Sequence, residues 1–186
     1  MAQQTRHRVG HHGTVSRIVF ALFVIILLLV PTGLGVGWFV AQRSLPVLDG
    51  VVTVSDLARS AVVKYDERGV PYIEASSDRD AFLVQGFATA ADRMFQMDMA
   101  RRSALGQLAE VFGQDSLSHD KLVRTIGFER IAKEQWKSLP ADVKSALEAY
   151  ARGVNQYIDG AKGRMPMEFL FLGFEPHKWR SIDTLA

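Results

Sequence analysis

The 186-residue sequence contains no cysteine. This absence excludes a disulfide framework, a thiol nucleophile and a thiolate metal ligand. The residues after position 41 also lack a glycine-rich phosphate-binding loop, an H-E-x-x-H zinc motif and an acidic run with calcium-loop spacing. No local motif therefore indicates a nucleotide-dependent enzyme, a zinc protease or a calcium-loop protein.

Acidic residues are missing from the start of the chain, where the first 17 residues contain three arginines, Arg6, Arg8 and Arg17. The whole sequence has 22 basic and 20 acidic residues and a net charge of +2. Without the tail, the part from Gln42 onward has 19 basic and 20 acidic residues and a net charge of −1. Because this part has no excess of basic residues to neutralise phosphate groups, we predict no nucleic-acid partner.

Residues 18–41 contain no charged side chain over 24 positions. A helix of this length, at about 1.5 Å per residue, is long enough to cross the ~30 Å hydrocarbon core of a bilayer. Because the arginines precede the apolar run, we expect residues 1–17 to form a basic cytoplasmic tail and the chain after residue 41 to be extracytoplasmic. The sequence thus predicts a single-pass cell-membrane protein.

The same segment also has features of a cleaved leader. Its densest apolar part, residues 18–30, has the length of a signal-peptide core, and we expect Pro31 to break the apolar pattern. The apolar character nevertheless continues to Val40, and Gly33 with Gly35 matches a cleavage site poorly. We favour a retained anchor over a cleaved leader, which would release a periplasmic or secreted chain.

Residues 42–60 are predicted to form a tether with a short strand at 51–54, punctuated by Pro46 and Gly50. Alternating runs at 61–65 and 70–75 then predict a β-hairpin. Its turn has Asp66 as the opening residue and Gly69 as the closing one. Pro71 cannot donate a ladder hydrogen bond, so we expect its strand to lie at a sheet edge or to pair only beyond that residue.

The remaining sequence is predicted to be mostly helical. Ser77, with Asp80 three residues on, indicates a helix start, and we expect Gly86 and Gly106 to bend or interrupt this helix before it stops at Gly113. A second helical region follows an N-cap at Ser118. It is interrupted at Gly127 and supported by an ion pair between Glu129 and Lys133.

A third helix is expected from Pro140, with Gly160 just beyond its end. Its apolar face comprises Val143, Leu147, Tyr150, Ala151, Val154 and Ile158. Residues 165–179 are apolar without periodicity and predict an extended packing segment. Ser181 indicates another N-cap, and because a single helical turn is not a stable ending we expect the sequence to be a truncated one.

Charged residues are threaded among methionines and phenylalanine in residues 92–113, DRMFQMDMARRSALGQLAEVFG. A typical amphipathic helix separates an apolar stripe from a polar face. If this helix is deeply packed, each buried charge needs a partner, and Asp98 at three and four residues from Arg101 and Arg102 supplies part of that pairing. We expect the other partners on a companion polypeptide. We favour this structural role over direct binding of a substrate carboxylate by the two arginines, because Asp98 and Glu110 lie within helical reach and are expected to pair with them already.

Five phrases in order carry a family resemblance: YDERGVPYIEA at 65–75, GFATAADRMFQMDMARR from Gly86, GQLAEVFG from Gly106, AYARGVNQYI at 149–158 and EFLFLGFEPHKW at 168–179. From about residue 62 to 186 the chain resembles the start of the α subunit of the penicillin acylase family. These enzymes are N-terminal-nucleophile hydrolases, so the resemblance implies an α+β fold. The chain would be a truncated fragment of an αββα architecture, here mostly helical with one β-hairpin and preceded by one transmembrane helix.

The residues that match the family patterns are read as scaffold. The hairpin motif D-x-x-G-x-P-x-I is matched by Asp66, Gly69, Pro71 and Ile73. The helix motif D-R-x-F-Q-M…R-R is matched by Asp92, Arg93, Phe95, Gln96, Met97, Arg101 and Arg102. The following turn of the family is matched by Gly106, Glu110 and Gly113. The resemblance implies that residues 61–186 are the N-terminal part of the α subunit. No residue of this chain is assigned as catalytic, cofactor-binding or metal-binding.

The resemblance also implies what completes the enzyme. A precursor of this family cuts itself, and the new N-terminal residue of the β subunit serves as nucleophile, with its own α-amino group as base. The expected partners are this β subunit, a small amide substrate and the membrane. Calcium is the expected cofactor of the complete enzyme, with ligands outside this chain.

Histidines offer weaker alternatives for chemistry. Ser118, His119 and Asp120 are adjacent and cannot align as a catalytic triad, so we predict helix-start residues instead. His177 is predicted to be a surface or packing residue. His7, His11 and His12 have a spacing compatible with a metal site, but an arginine-rich tail without further ligands is the favoured interpretation.

The sequence therefore predicts the N-terminal piece of an acylase precursor that hydrolyses a linear amide, such as the side chain of a β-lactam or an N-acyl homoserine lactone. The fragment alone is expected to be inactive. The alternative is a non-catalytic, membrane-anchored helical module that retains the same scaffold and acts in binding.

Overall fold

The computed structural model describes residues 12–45 and 49–186 and divides the chain into two compact units, Met1–Arg43 and Ser44–Ala186. His7, His11 and Pro46 lie outside the described residues. The first helix, α1, spans His12–Ser44.

Helix α1 continues through Pro31, which interrupts the apolar side-chain pattern but not the helix. Proline removes one backbone donor, while the turns on both sides retain their own hydrogen bonds. Thr32 Oγ1 donates to the Leu28 carbonyl at 2.7 Å in the same region. The part Ser16–Ser44 is long and apolar enough to cross a membrane, a property that a signal sequence near an N-terminus shares.

The second unit begins with an irregular segment that contains no strand at 51–54, contrary to the prediction. Strand formation requires a hydrogen-bonded neighbour, and Val51 is 98% exposed. Side chains hold the segment instead. Gln156 Oε1 accepts from the Ser55 N–H at 2.6 Å, and Asp80 Oδ1 accepts from the Ala58 N–H at 3.2 Å.

The predicted hairpin is confirmed as β1 (Val62–Tyr65) and β2 (Pro71–Glu74), paired antiparallel. The Asp66 carboxylate accepts from the Arg68 and Val70 N–H groups at 2.9 and 2.8 Å, and Gly69 has a φ of 75°. The turn chemistry thus fixes the register, with Tyr65 opposite Pro71.

Helix α2 spans Asp78–Leu105 and begins at Ser77, whose side chain accepts from the Asp80 N–H at 3.2 Å. The expected bend at Gly86 is wrong: the non-helical residue is Arg93, with φ −138° and ψ 27°. Gly106 ends the helix in the left-handed conformation, with a φ of 65°. Its missing side chain makes this C-cap possible.

Four short elements follow α2: α3 (Ala109–Phe112), a 3₁₀ turn (Gly113–Ser116), α4 (Leu117–Ile126) and α5 (Phe128–Ser138). Ser118 lies inside α4, so its prediction as an N-cap is wrong. Gly127 separates α4 from α5 at a φ of 83°, and the Lys133–Glu129 ion pair forms at 3.0 Å, both as predicted.

Helix α6 spans Ala141–Gly160 after an N-cap at Pro140, and packs along α2 to form the core. Gly160 is its last residue and not the residue beyond its end, so this detail of the prediction is wrong. Val143, on the predicted apolar face, is 38% exposed. The core cluster comprises Ala90, Met94, Ala151, Val154, Ile158, Phe169 and Trp179. At the crossing, a Cβ added to Gly86 would overlap the Tyr150 carbonyl, and one added to Gly153 would overlap that of Leu83. The glycines therefore permit close helix packing.

The segment after α6 is less extended than predicted. Helix α7 occupies Met167–Leu172 and ends at Gly173, because Phe169 anchors one side of the turn in the core. A 3₁₀ turn follows at Ser181–Thr184, and its N-cap is Arg180 rather than Ser181. Asp183 stabilises this start by accepting from the Arg180 N–H at 2.9 Å.

Candidate functional site

Three of the six charged or amide side chains in the first part of the 92–113 run are buried. Asp98, Arg101 and Arg102 are 0%, 5% and 3% exposed, whereas Asp92, Arg93 and Gln96 face the exterior. The buried group lies in the regular turns of α2 that follow the irregular residue Arg93. Water can therefore hydrogen-bond to the three exposed side chains, whereas the three buried ones need hydrogen-bond and charge partners within the protein.

The Asp98 carboxylate lies between both arginines. Its Oδ1 accepts a close hydrogen bond from Arg101 Nη2, and its Oδ2 accepts from Arg102 Nε at 2.8 Å. The i,i+3 and i,i+4 spacing places all three groups on one side of the helix. The predicted pairing of Asp98 with the arginines is thus confirmed.

Arg101 has further partners in the C-terminal segment. Its Nη1 donates to the carbonyl oxygens of His177 and Lys178, both at 3.1 Å, and contacts Asp183 Oδ2 at 3.5 Å. The guanidinium also lies 5.0 Å from the centre of the Trp179 ring. This one side chain therefore joins α2 to the segment that follows α7.

Arg102 joins α2 to α3. Its Nη1 donates to Glu110 Oε2 at 2.7 Å, and its guanidinium stacks 5.0 Å from the centre of the Phe174 ring. Burial lowers the pKa of Arg102, but the hydrogen bonds and charges of Asp98 and Glu110 outweigh it and raise the pKa above its ordinary value. The arginine is held as a cation.

The network continues through Asp183 to the surface. Arg180 donates to Asp183 Oδ1 at 2.8 Å and to Glu129 at 3.0 Å, so it connects the C-terminal turn with α5. Hydrogen bonds from Lys133 and Arg180 lower the pKa of Glu129. Hydrogen bonding to Asp183 raises the pKa of Arg180. One network of charged side chains thus connects four elements: α2, α3, α5 and the C-terminal 3₁₀ turn.

These contacts correct the prediction that the buried charges find partners on a companion polypeptide. The partners are in this chain: Asp98 and Glu110, as predicted, together with Asp183 and two main-chain carbonyls. No local signal identifies Asp183, since it lies 82 positions from Arg101. Because both arginines are nearly inaccessible and already paired, the arrangement favours a structural role over binding of a substrate carboxylate.

His119 lies near Ser103 rather than in a triad with its neighbours. The Nε2 atom of His119 is 3.1 Å from Ser103 Oγ, which links α4 to α2. Both oxygens of the Asp120 carboxylate accept backbone N–H groups, from Leu108 at 3.0 Å and from Ala109 at 2.8 Å. Asp120 therefore caps α3 and does not orient the imidazole, so the prediction that these residues are structural is consistent with their contacts.

Other candidate positions add no catalytic arrangement. His177 is exposed, as expected for a surface residue, and takes part in the network through its carbonyl. Within residues 16–45 and 49–186, whose side chains the structure describes, no group of three or more His, Cys, Asp or Glu is placed to hold a metal ion. A cleft of about 650 Å³ between the starts of α2 and α6 is lined by groups that include Phe82, Val143 and Tyr150.

A comparison with protein families finds that the penicillin amidase family model matches residues 60–186. Among similar proteins, penicillin acylase 2 proenzyme of Pseudomonas sp. (strain SE83) is 37% identical over 145 residues. Acyl-homoserine lactone acylase QuiP of Pseudomonas aeruginosa is 33% identical over 141 residues. These alignments cover 78% and 76% of this chain, which spans only 19% and 17% of the relatives' lengths.

This chain is also similar to a solved structure. Thermostable penicillin G acylase from Alcaligenes faecalis superposes with a TM-score of 0.62 and 34% sequence identity. The superposition covers 67% of this chain and 68% of that one. The predominantly helical arrangement with a two-stranded hairpin is therefore a known fold.

Proposed function

This chain belongs to the penicillin amidase family, and from that premise we propose that it is the N-terminal part of an amide hydrolase precursor whose nucleophile lies in a β subunit. The observation that carries the proposal is the family match over the whole of residues 60–186. The internal pairing of the buried charges supports it further, because these residues then serve as a rigid framework and not as reacting groups.

The proposed chemistry divides between the two chains. In the β subunit, a new N-terminal residue would attack the amide carbonyl, and its α-amino group, with an ordinary pKa of about 8, would accept the hydroxyl proton. The amide C–N bond would then break, and the amine would leave with the proton held by the α-amino group. Water would hydrolyse the resulting acyl-enzyme and release the acid. The proposed contribution of this chain is structural. Asp98, Arg101 and Arg102 fix α2 against the C-terminal segment, and the β subunit would pack on this framework.

The proposed substrates are linear amides, either the acyl side chain of a β-lactam or an N-acyl homoserine lactone. Support comes from the names of similar proteins, which include penicillin acylases and acyl-homoserine lactone acylases. We propose calcium as a cofactor of the complete enzyme, but the described residues of this chain do not fit a calcium site. Its ligands would therefore belong to other parts of the enzyme.

We further propose that α1 holds the enzyme at the cell membrane, with the residues after 41 on the extracytoplasmic side. The support is the uncharged length of α1 and the arginines before it. Release of a periplasmic or secreted enzyme by cleavage of this segment is the alternative.

Intact mass measurement and N-terminal sequencing of the native gene product test the proposal directly. We expect two chains from one precursor, and we expect the two-chain product to hydrolyse penicillin G or an N-acyl homoserine lactone. The 186-residue chain alone should show no hydrolysis above the buffer rate. Turnover by the isolated chain would contradict this division of roles, and a native product without a second chain and without activity would favour the non-catalytic binding module.

A further inference from the structure

Helix α7 directs large apolar side chains away from the core. Its residue Phe169 is buried, with the ring centre 5.4 Å from that of Phe95. The next three residues, Leu170, Phe171 and Leu172, are 65%, 76% and 42% exposed. At about 100° per residue, Phe171 lies about 200° around the helix from Phe169, so α7 cannot bury Phe171 while Phe169 stays in the core. Adjacent exposed apolar side chains mark a candidate interaction surface.

Basic residues lie immediately before these apolar side chains. Lys162 and Arg164 are exposed, and Glu168 is the only acidic residue between positions 161 and 173. Glu168 precedes Leu170 by two positions, about 200° around the helix, so the two side chains leave α7 on different sides. Cations beside an apolar helix face are complementary to an anionic lipid surface, which attracts lysine and arginine and accepts apolar side chains between its headgroups.

A hydrogen bond relates this surface to the apolar segment of the chain. The Ser44 hydroxyl donates to the Met165 carbonyl at 3.1 Å, a contact within the second unit. Ser44 is the third residue after the uncharged segment 18–41, and three residues span at most about 11 Å. Helix α7 begins two residues after Met165. If residues 18–41 cross a bilayer, Met165 therefore lies close to the headgroup layer, which is about 5–8 Å deep on each side.

We propose that the α7 surface, formed by Lys162, Arg164 and residues 170–172, is a second membrane contact. The apolar side chains enter the headgroup layer, and the two cations bind the phosphate groups of anionic lipids. The inference rests on the proposed anchoring of the chain by α1. A lipid surface is assigned as the occupant for two reasons: the Ser44 hydrogen bond keeps Met165 near the end of the apolar segment, and the cations match lipid phosphate in charge.

The absence of cysteine from the chain allows a direct test. In Leu170→Cys, a nitrobenzoxadiazole fluorophore is attached to the new thiol. The full 186-residue chain is then reconstituted through α1 into vesicles of phosphatidylcholine and phosphatidylglycerol, in which some lipids carry a nitroxide quencher near the headgroup. We expect these lipids to quench the label by at least about half. Leu122→Cys is the matched control, because Leu122 is a leucine of α4 with a similar exposure of 60%, and its label should keep its intensity.

Two further substitutions, each combined with the label at residue 170, test the chemistry of the contact. Phe171→Ser removes the most exposed side chain of α7 and should lower the quenching at least about twofold. Arg164→Gln should reduce the quenching in vesicles that contain phosphatidylglycerol and leave it unchanged in pure phosphatidylcholine, because it removes a charge but no apolar surface. Equal quenching with and without Phe171, or an equal effect of R164Q in both kinds of vesicle, would overturn the inference.

The same label in the mature two-chain enzyme separates a lipid surface from a protein partner. We expect the nitroxide lipids to quench the label at residue 170 in this sample as well. Loss of quenching in the two-chain enzyme, together with protection of the label from aqueous iodide, would assign the α7 surface to the β subunit and overturn the inference.

A label on Leu28→Cys reports the anchoring by α1 independently, when it is measured with nitroxide in the lipid acyl chains. Quenching at residue 28 without quenching at residue 170 would overturn the inference and leave the proposed anchoring intact. Absence of quenching at both positions would contradict the anchoring itself, and the inference would fall with it.

Discussion

At the scale of single residues, the decisive feature is the burial of three charges in one turn of α2. Asp98, Arg101 and Arg102 tolerate burial because each has charged or carbonyl partners at hydrogen-bonding distance. A carboxylate between two guanidinium groups is the electrostatic centre of this arrangement. Removal of one member leaves charges that water cannot reach.

Asp98→Asn is therefore expected to lower the free energy of unfolding by roughly 3–5 kcal/mol, because both arginines lose their central counter-charge. Urea unfolding of the full chain in detergent, followed by tryptophan fluorescence, measures the change. Asp92→Asn is the control, since Asp92 pairs with Arg93 at the exposed surface, and its effect should stay within about 0.5 kcal/mol. Equal effects of the two substitutions would contradict a buried network.

We expect the stability of the protein to depend on pH through the ionisation of Asp80. Hydrogen bonds, first from the Ala58 N–H, hold the pKa of this buried carboxyl below its ordinary value of 3.8. A lowered folded-state pKa contributes stability that is complete above the unfolded-state pKa, near 3.9, and is lost as the pH falls through the folded-state value.

The stability difference between wild type and Asp80→Asn should therefore shrink as the pH falls below about 4. Urea midpoints at pH 6, 4 and 3 provide the measurement. Asp159→Asn is the control: Lys178 lowers the pKa of Asp159 too, but this ion pair is exposed and should add little. A difference that stays constant down to pH 3 would contradict the role assigned to Asp80.

At the scale of elements, the α2–α6 crossing depends on glycine. Local propensity treats Gly86 as a weak point in a helix, and a bend there is a reasonable expectation. The structure shows instead that Gly86 and Gly153 allow the two backbones to approach, while the irregular residue is Arg93. Close approach is a property of two elements together, so neither segment reveals it alone.

Gly86→Ala should destabilise the chain by about 1–3 kcal/mol, because the new methyl group would overlap the Tyr150 carbonyl and push the helices apart. Gly160→Ala is a matched control on α6, where nothing lies within 4 Å of the added Cβ. It should be neutral or stabilise by up to about 1 kcal/mol. Thermal unfolding compares both variants with wild type. A G86A protein as stable as wild type would contradict close contact between the two helix backbones at Gly86.

At the scale of the whole molecule, the two compact units differ in how far their apolar side chains are exposed. Apolar side chains of α1 are mostly exposed, whereas the second unit has a core of its own around Met94 and Val154. This contrast is expected when one unit has lipid as its solvent and the other has water.

Leu28→Arg combined with Leu29→Arg tests the role of α1. Each arginine near the centre of a membrane helix costs about 2.5–3.5 kcal/mol of insertion free energy, so the variant should be extracted from membranes by alkaline carbonate. Leu122→Arg, at a position 60% exposed in the second unit, should leave the protein in the membrane fraction. Extraction of the wild-type chain would contradict anchoring by α1.

The sequence by itself determined the features that depend on neighbours along the chain: the apolar helix, the hairpin with its Asp66 turn, the glycine that separates α4 from α5, and the pairing of Asp98 with Arg101 and Arg102. Spacing of a few residues fixes these contacts. It also carried the family resemblance, since ordered motifs are a property of the chain alone.

Only the tertiary structure decided which charges are buried, that Asp183 reaches Arg101, that Gly86 serves packing, and that residues 51–54 form no strand. The physical reason is common to all four. Each depends on what an element meets in space, and contacts between residues tens of positions apart are set by the packing of whole helices and strands rather than by local preference.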